Sequence, residues 1–128
     1  MSEKINWTLN VQVTAGPKIQ VTQTETVDAY DKIDVSIVDG VADEEVQVQP
    51  GSAEQVLFLL IYSDQYGDSL TYKINDPAAP PIKLDTLQLL MGEGAVGLLG
   101  AAPTKLFFSN SMGKDAAVQV LVGRKATS

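Results

Sequence analysis

Apolar and polar residues alternate along most of this chain, which is the pattern of β-strands with one buried face. From Ile5 to Val13 every second residue is apolar, with Asn, Thr or Gln between them. The turn Ala15-Gly16-Pro17 ends this segment, and β-favouring residues resume from Ile19 to Val27. We therefore predict that the chain begins with two strands joined by a loop.

An uninterrupted apolar run, Val56 to Tyr62, predicts a central strand that is covered on both faces. After it, Tyr66-Gly67-Asp68 has the composition of a hairpin turn leading into the alternating segment Leu70 to Ile74. Residues from Arg124 onward are predicted to form a short tail. Further short strands are expected at Ile33–Ile37, Val46–Val48, Leu106–Phe108 and Val118–Val122.

The segment from Leu84 to Ala102 is apolar but rich in glycine, which disfavours a long helix. We expect strand and loop there, with one short helical turn. The stretch carries little charge, so it either packs within its own chain or lies against a neighbouring subunit. On the second interpretation the candidate interface residues are Met91, Val96, Leu98 and Leu99.

About eight short strands without intervening long helices predict an all-β fold, an antiparallel β-sandwich of the jelly-roll type. Residues 1–128 are expected to form one such domain with short flexible tails at both ends. An immunoglobulin-like sandwich is the nearest alternative, but the chain has no cysteine pair, and its single tryptophan, Trp7, lies too early.

Composition narrows the possible functions. The chain has no histidine and no cysteine, so it lacks the side chain that titrates near neutrality and the best thiolate nucleophile. A net charge of −7 disfavours binding to nucleic acid or to anionic membranes. Met1 to Lys4 lead directly into strand-like alternation, so we expect no signal peptide and synthesis in a cytoplasm.

Three patterns suggest chemistry, and each has a simpler interpretation. The acidic residues Asp39, Asp43, Glu44 and Glu45 suit a calcium site but lack EF-hand spacing, so a solvated loop is favoured. The pair Asp64 and Asp68 suits a turn better than a metal site. Lys105 with Ser109 or Ser111 forms only a nominal Ser-Lys dyad, because nothing marks the lysine as desolvated.

The glycines Gly92, Gly94 and Gly97 match the bare Gly-x-Gly-x-x-Gly pattern of dinucleotide-binding folds. That pattern requires a strand before it and a helix after it within a βαβ unit. The surroundings here are β-like, and only Asp115 lies near the position of the acidic residue. We assign no catalytic residue, no cofactor and no metal.

Several segments resemble small bacteriophage virion proteins, notably capsid decoration or cement proteins. These are Val46 to Ser52 leading into Val56–Tyr62, then Ser63 to Asp68, and Leu106 to Asn110 with Val118 to Arg124. The resemblance implies a non-catalytic protein, located in the virion, that binds the major capsid protein or another virion protein and stabilises the shell. It also implies a homo-oligomer, often a trimer.

Two other functions remain open from the sequence. One is a tail, baseplate or fibre-associated component, in which the domain would form part of a larger oligomer. The other is a carbohydrate- or ligand-binding module whose aromatic residues stack on the ligand. The candidate stacking residues are Trp7, Tyr30, Tyr62, Tyr66 and Tyr72.

Overall fold

The alternating segments form β-strands that pair over long distances along the chain. A computed structural model describes residues 3–48, 55–100 and 103–125. The protein is mostly β with antiparallel sheets, as predicted, and its described residues form ten strands where about eight were expected. The strands are β1 (Glu3–Gln12), β2 (Lys18–Val27), β3 (Ala29–Ile37), β4 (Glu44–Gln47), β5 (Gln55–Ser63), β6 (Leu70–Ile74), β7 (Ile82–Lys83), β8 (Gln88–Met91), β9 (Lys105–Asn110) and β10 (Ala116–Lys125).

The ten strands form three sheets. Strands β1 and β2 make a two-stranded sheet of their own, and the other eight make two four-stranded sheets, ordered β3-β10-β5-β8 and β4-β9-β6-β7. The pairs β3 with β10, β4 with β9, β5 with β8, and β6 with β7 are nested around the connection between β6 and β7. The chain from β3 to β10 is therefore paired as one long folded hairpin, and β10–β5 and β9–β6 pairings complete the sheets.

The hydrophobic core draws side chains from both four-stranded sheets. Alternate residues of β10 point into it, as expected for a strand with one face on the core. Tyr72 of β6 and Phe108 of β9 lie with ring centroids 5.8 Å apart and are both almost completely buried. The other fully buried large side chains are Ile37, Leu59, Ile61, Leu70, Leu84, Leu106, Val27, Val48 and Val118.

The predicted central position of Val56–Tyr62 is confirmed, because β5 lies between β10 and β8, but its second face is only partly covered, since Leu57, Leu60 and Tyr62 are half-buried. Its register with β10 shifts between Gly123 and Arg124, so that Phe58 pairs with Gly123 and Val56 with Arg124. This irregularity allows Val56 and Leu59, three positions apart, both to join the core.

The glycine-rich segment Leu84–Ala102, which the structure describes as far as Gly100, also agrees with the prediction. It contains strand β8, one four-residue helix α1 (Glu93–Val96) and a 3₁₀ turn at Gly97–Leu99.

Two expectations are wrong. Tyr66-Gly67-Asp68 does not turn a hairpin, because β5 and β6 belong to different sheets and the connection between them crosses from one sheet to the other. Arg124 and Lys125 do not lie in a tail, because β10 continues to Lys125 and Arg124 forms an ion pair with Asp31 of β3. Within the described residues, no helix is long and apolar enough to cross a membrane.

Asn110 at the end of β9 provides a test of the buried polar contacts. Its amide donates to the carbonyls of Ile37 and Lys114 at 2.8 Å each, and its oxygen accepts from the Met112 N–H at 2.9 Å. We predict that Asn110→Ala lowers the free energy of unfolding by about 2 to 4 kcal/mol, since buried backbone groups lose their partners. Urea denaturation measures this. The exposed control Asn10→Ala should change it by less than about 0.5 kcal/mol; equal effects would contradict the prediction.

The buried Tyr72 makes the free energy of unfolding depend on pH in the alkaline range. Burial raises the pKa of its phenol from 10.0 to about 12, and its hydroxyl donates to Gln88. Between pH 10 and 12 the unfolded chain loses this proton while the folded chain keeps it. The free energy of unfolding should therefore fall by roughly 3 kcal/mol over that range.

Urea denaturation at several pH values should show this fall in the wild-type protein and a shallower one in Tyr72→Phe. The exposed Tyr30 is the matched control, and Tyr30→Phe should keep the wild-type slope. Parallel pH profiles for all three proteins would contradict the assignment to Tyr72.

Candidate interaction surface

Residues 3–27 form a β-hairpin, here called the arm, that is a separate sheet from the rest of the protein. Its ten-residue strands pair in regular register from Glu3 opposite Val27 to Gln12 opposite Lys18. Side chains opposite each other lie on the same face of the ribbon. One face is therefore largely apolar, comprising Ile5, Trp7, Leu9, Val11, Ile19 and Val21, with Gln23 and Glu25 nearer the base.

The base of the arm is attached to the outer side of β10. Val27 is buried, and the Asp28 N–H donates to the Arg124 carbonyl at 2.9 Å. A Cβ atom at Gly123 would lie 2.8 Å from Ile5 Cδ1 and 3.0 Å from Val27 Cγ1. A glycine at this position thus allows the arm to approach the sheet closely.

Away from its base, the apolar face of the arm is uncovered in the described structure. The exposed fraction rises from 38% at Leu9 to 46% at Val11 and 58% at Val13, and Ile19 is also 58% exposed. The alternation predicted a buried face here, and only its proximal part is buried. A two-stranded ribbon is marginally stable in water by itself, and its long edges are open to pairing. The distal arm is thus the part of the described structure best suited to contact another molecule.

The opposite face of the arm is polar and carries two charges, Lys4 near the base and Lys18 at the distal end. The Thr24 hydroxyl donates to Asn6 at 2.8 Å, and the hydroxyls of Thr8 and Thr22 lie 3.3 Å apart. The arm holds two lysines and two glutamates, which cancel, so the net charge of −7 lies entirely outside it. Between Ile5 and Thr24 the only charged residue is Lys18. This scarcity of charged residues is the feature of the sequence that distinguishes the arm from the rest of the chain.

An apolar groove lies at the same end of the protein as the arm junction. It has a volume of about 360 Å³ and is bordered by the end of β6, the loop that follows, β7 and the 3₁₀ turn. Because β10 ends beside the starts of β3 and β5, and β8 ends beside the start of β5, the arm junction and the 3₁₀ turn share one end of the protein. The groove residues are Ile74, Asn75, Ala79, Pro80, Ile82, Leu98, Leu99 and Gly100.

The four interface residues predicted from the sequence occupy different environments. Leu98 is 82% exposed, the highest value among the exposed large hydrophobic residues, and it lines the groove with Leu99, which also packs against the core. Met91 is half-buried at the end of β8. Val96 is only 3% exposed and belongs to the hydrophobic core, so it cannot present a contact surface. The sequence prediction did not include the arm.

Three of the four clustered acidic residues considered for metal binding contact separate partners, whereas Glu44 Oε2 is buried with no hydrogen-bond partner among the described residues. Asp43 pairs with Lys73 at 3.0 Å, Glu45 lies 3.9 Å from Lys105, and Asp39 accepts from the Gly113 N–H at 2.9 Å. No group of three or more potential metal ligands occurs within residues 3–48, 55–100 and 103–125.

The nominal Ser-Lys dyad, the aspartate Asp64 and the glycine pattern at Gly92 also have local structural roles. Ser109 accepts a hydrogen bond from the Asp43 N–H at 3.0 Å, whereas Lys105 faces Glu45, so the two residues of the nominal dyad have different contacts. Asp64 accepts from the Ala117 N–H at 2.8 Å. Gly92 has a φ of 89° and precedes a helix of only four residues, after the antiparallel strand β8, which is not the βαβ setting of a dinucleotide site.

The aromatic residues considered as stacking platforms have different surroundings, and Tyr30, which is 53% exposed, borders a small cavity with Ile5 and Leu121 at the base of the arm. Trp7 is half-buried on the arm, and its indole N–H has no hydrogen-bond acceptor among the described residues. Tyr72 is buried, the Tyr62 hydroxyl donates to Gln119, and the Tyr66 hydroxyl accepts from the Ser63 N–H. None of these side chains lines the apolar groove.

Comparisons of the chain with models of protein families, with curated proteins and with solved structures found no match. The arm and the groove are therefore interpreted from their own geometry.

A substitution at Gly123 tests how the arm is attached. We predict that Gly123→Val displaces Ile5 and Val27 and loosens the base of the arm. Because Trp7 is the only tryptophan and lies on the same face as Ile5, its fluorescence should shift to longer wavelength. Ala117→Val, on the exposed outer side of the same strand, is the matched control and should leave the emission unchanged. An unshifted spectrum in Gly123→Val would contradict this attachment.

Proposed function

We propose that this protein is a non-catalytic structural component of a bacteriophage virion, a capsid decoration protein that binds in many copies to the shell and stabilises it. The observation that carries the proposal is the uncovered apolar face of the arm. A surface of this kind is stable when another protein covers it, as in assemblies built from repeated subunits.

We further propose that strands β3 to β10 form a jelly-roll sandwich. The nested pairing and the sheet orders β3-β10-β5-β8 and β4-β9-β6-β7 support this, since a long antiparallel hairpin rolled into two sheets has these neighbours. Jelly rolls occur in viral capsid and lectin domains. This topology therefore agrees with the resemblance to virion proteins and gives no preference to an enzymatic role.

The distribution of polar residues also favours a structural role. Asp43, Asp39 and Asp64 are each engaged singly, with a lysine or with a backbone N–H group, and the chain contains no histidine or cysteine. The carbohydrate-binding alternative receives no support from the dispersed aromatic residues. A decoration protein requires no active site, because many weak contacts on a lattice combine to give tight binding.

Sedimentation with capsids tests the proposal. The particles are those of the phage whose genome carries this sequence, prepared without the protein. We expect saturable binding at a fixed ratio to the major capsid protein, and a higher temperature of shell disruption once it is bound. A protein that stays in the supernatant, or that sediments with isolated tails instead of capsids, would contradict the decoration role.

The arm variant Val11→Thr with Ile19→Thr should bind capsids more weakly, because it keeps β-favouring residues but makes the apolar face polar. Its matched control, Gln12→Thr with Gln20→Thr, changes the opposite, polar face of the same ribbon. The control should bind like the wild-type protein. Equal binding of both variants would show that the apolar face has no part in attachment or avidity.

A further inference from the structure

We infer that the distal arm of one molecule packs into the apolar groove of a second copy of this chain, so that each molecule donates one arm and accepts another. Two uncovered apolar surfaces of opposite shape, a projecting ribbon and a concave groove, occur on the same chain. In the ribbon the exposed residues are Leu9, Val11 and Ile19. In the groove Leu98 is the most exposed.

The position of the two surfaces favours exchange between copies. The arm is attached at the end of the protein that carries the groove, and its exposure rises from Leu9 to Val13. Two or more copies that face one another through this end would place each arm across a neighbour's groove. Donor and acceptor surfaces on the same end allow a closed oligomer, in which no arm is left uncovered.

Charge complementarity supports a second copy as the occupant. The distal arm carries one charge, Lys18. The elements that border the groove carry three exposed charges, the acidic Asp76 and Glu93 and the basic Lys83 at the end of β7. Asp76 flanks the groove directly, since its carbonyl accepts from the N–H of Ala79 at 2.9 Å. Lys18 lies at the distal end of the arm on its polar face, so it would meet Asp76 at the border of the groove while the apolar face fills the groove.

The length of the arm allows two acidic molecules to make contact while most of their charged surfaces stay apart. The uncovered part of the arm, about five residues in each strand, extends about 17 Å, whereas charges in physiological salt are screened over about 8 Å. The arm carries none of the net charge of −7. Contact through the arms thus buries apolar surface while leaving most of the acidic surface of each molecule outside screening distance of the other.

Disulfide trapping tests the contact with the purified chain alone, because the natural sequence has no cysteine. We would mix Ile19→Cys protein with a larger, tagged Leu98→Cys protein under mild oxidation and separate the products by size without reductant. We expect the mixed arm-to-groove dimer to dominate. The control mixture replaces Leu98→Cys with Ser36→Cys, an exposed residue of β3 away from the groove, and should give little mixed product. Dominant Ile19-to-Ile19 dimers, or equal yields in both mixtures, would overturn the inference.

A charge exchange tests the same contact without cysteine. Light scattering after size exclusion, over a wide range of concentrations, should give the wild-type protein a closed oligomer of two or three chains. Lys18→Glu and Asp76→Lys should each weaken association about fivefold per contact, the upper value for one exposed ion pair. The double variant Lys18→Glu with Asp76→Lys should recover the wild-type strength of association. A monomeric wild-type protein would overturn the inference. So would a double variant whose loss of association affinity equals the combined losses of the two single variants.

This self-association is consistent with the proposed function, since oligomers gain avidity on a lattice, but its test uses no capsid. A protein that forms the arm-to-groove oligomer but fails to sediment with capsids would contradict the decoration role and not the exchange of arms. A protein that sediments with capsids as a monomer would contradict the exchange of arms and not the decoration role.

Discussion

The pairing of β10 between β3 and β5 is the interaction on which the rest of the structure depends. Val118, Val120 and Val122 of this strand enter the core, and its backbone completes the sheet that contains the central strand β5. On the other side of the same strand, Gly123 leaves space for the base of the arm. One strand near the end of the sequence therefore supports both the core and the attachment of the first hairpin.

The arm and the remainder of the protein obey different constraints. In strands β3 to β10 the inward-facing apolar side chains are covered by the chain itself, and the buried Asn110 has hydrogen-bond partners. In the arm, hydrogen bonds within the ribbon satisfy the paired backbone groups, but nothing among the described residues covers Val11 or Ile19. Association with a second molecule would supply the missing burial. This difference separates the part of the chain that folds on itself from the part that is available for contact.

The local pattern was informative wherever neighbouring residues decide the outcome. The alternation from Ile5 to Val13, the apolar run Val56–Tyr62 and the glycines near Gly92 correctly indicated strands, a central strand and a short helical turn. The pattern failed at Tyr66-Gly67-Asp68, because turn residues show where a strand ends but not which strand it pairs with. It also failed at Val96, because a small apolar residue in a glycine-rich loop has the same local signature whether it packs inward or outward.

The sequence by itself determined that the protein is built from antiparallel strands, that it is acidic, and that it lacks the residues most often used in catalysis. These properties follow from side-chain period, net charge and composition, which need no knowledge of contacts. Only the tertiary structure decided that β3 pairs with β10, that Arg124 reaches Asp31, and that the apolar face from Leu9 to Val13 stays uncovered while Leu98 lines a groove. Those outcomes depend on which distant segments meet, and the energy of such contacts is not encoded in any local stretch of the chain.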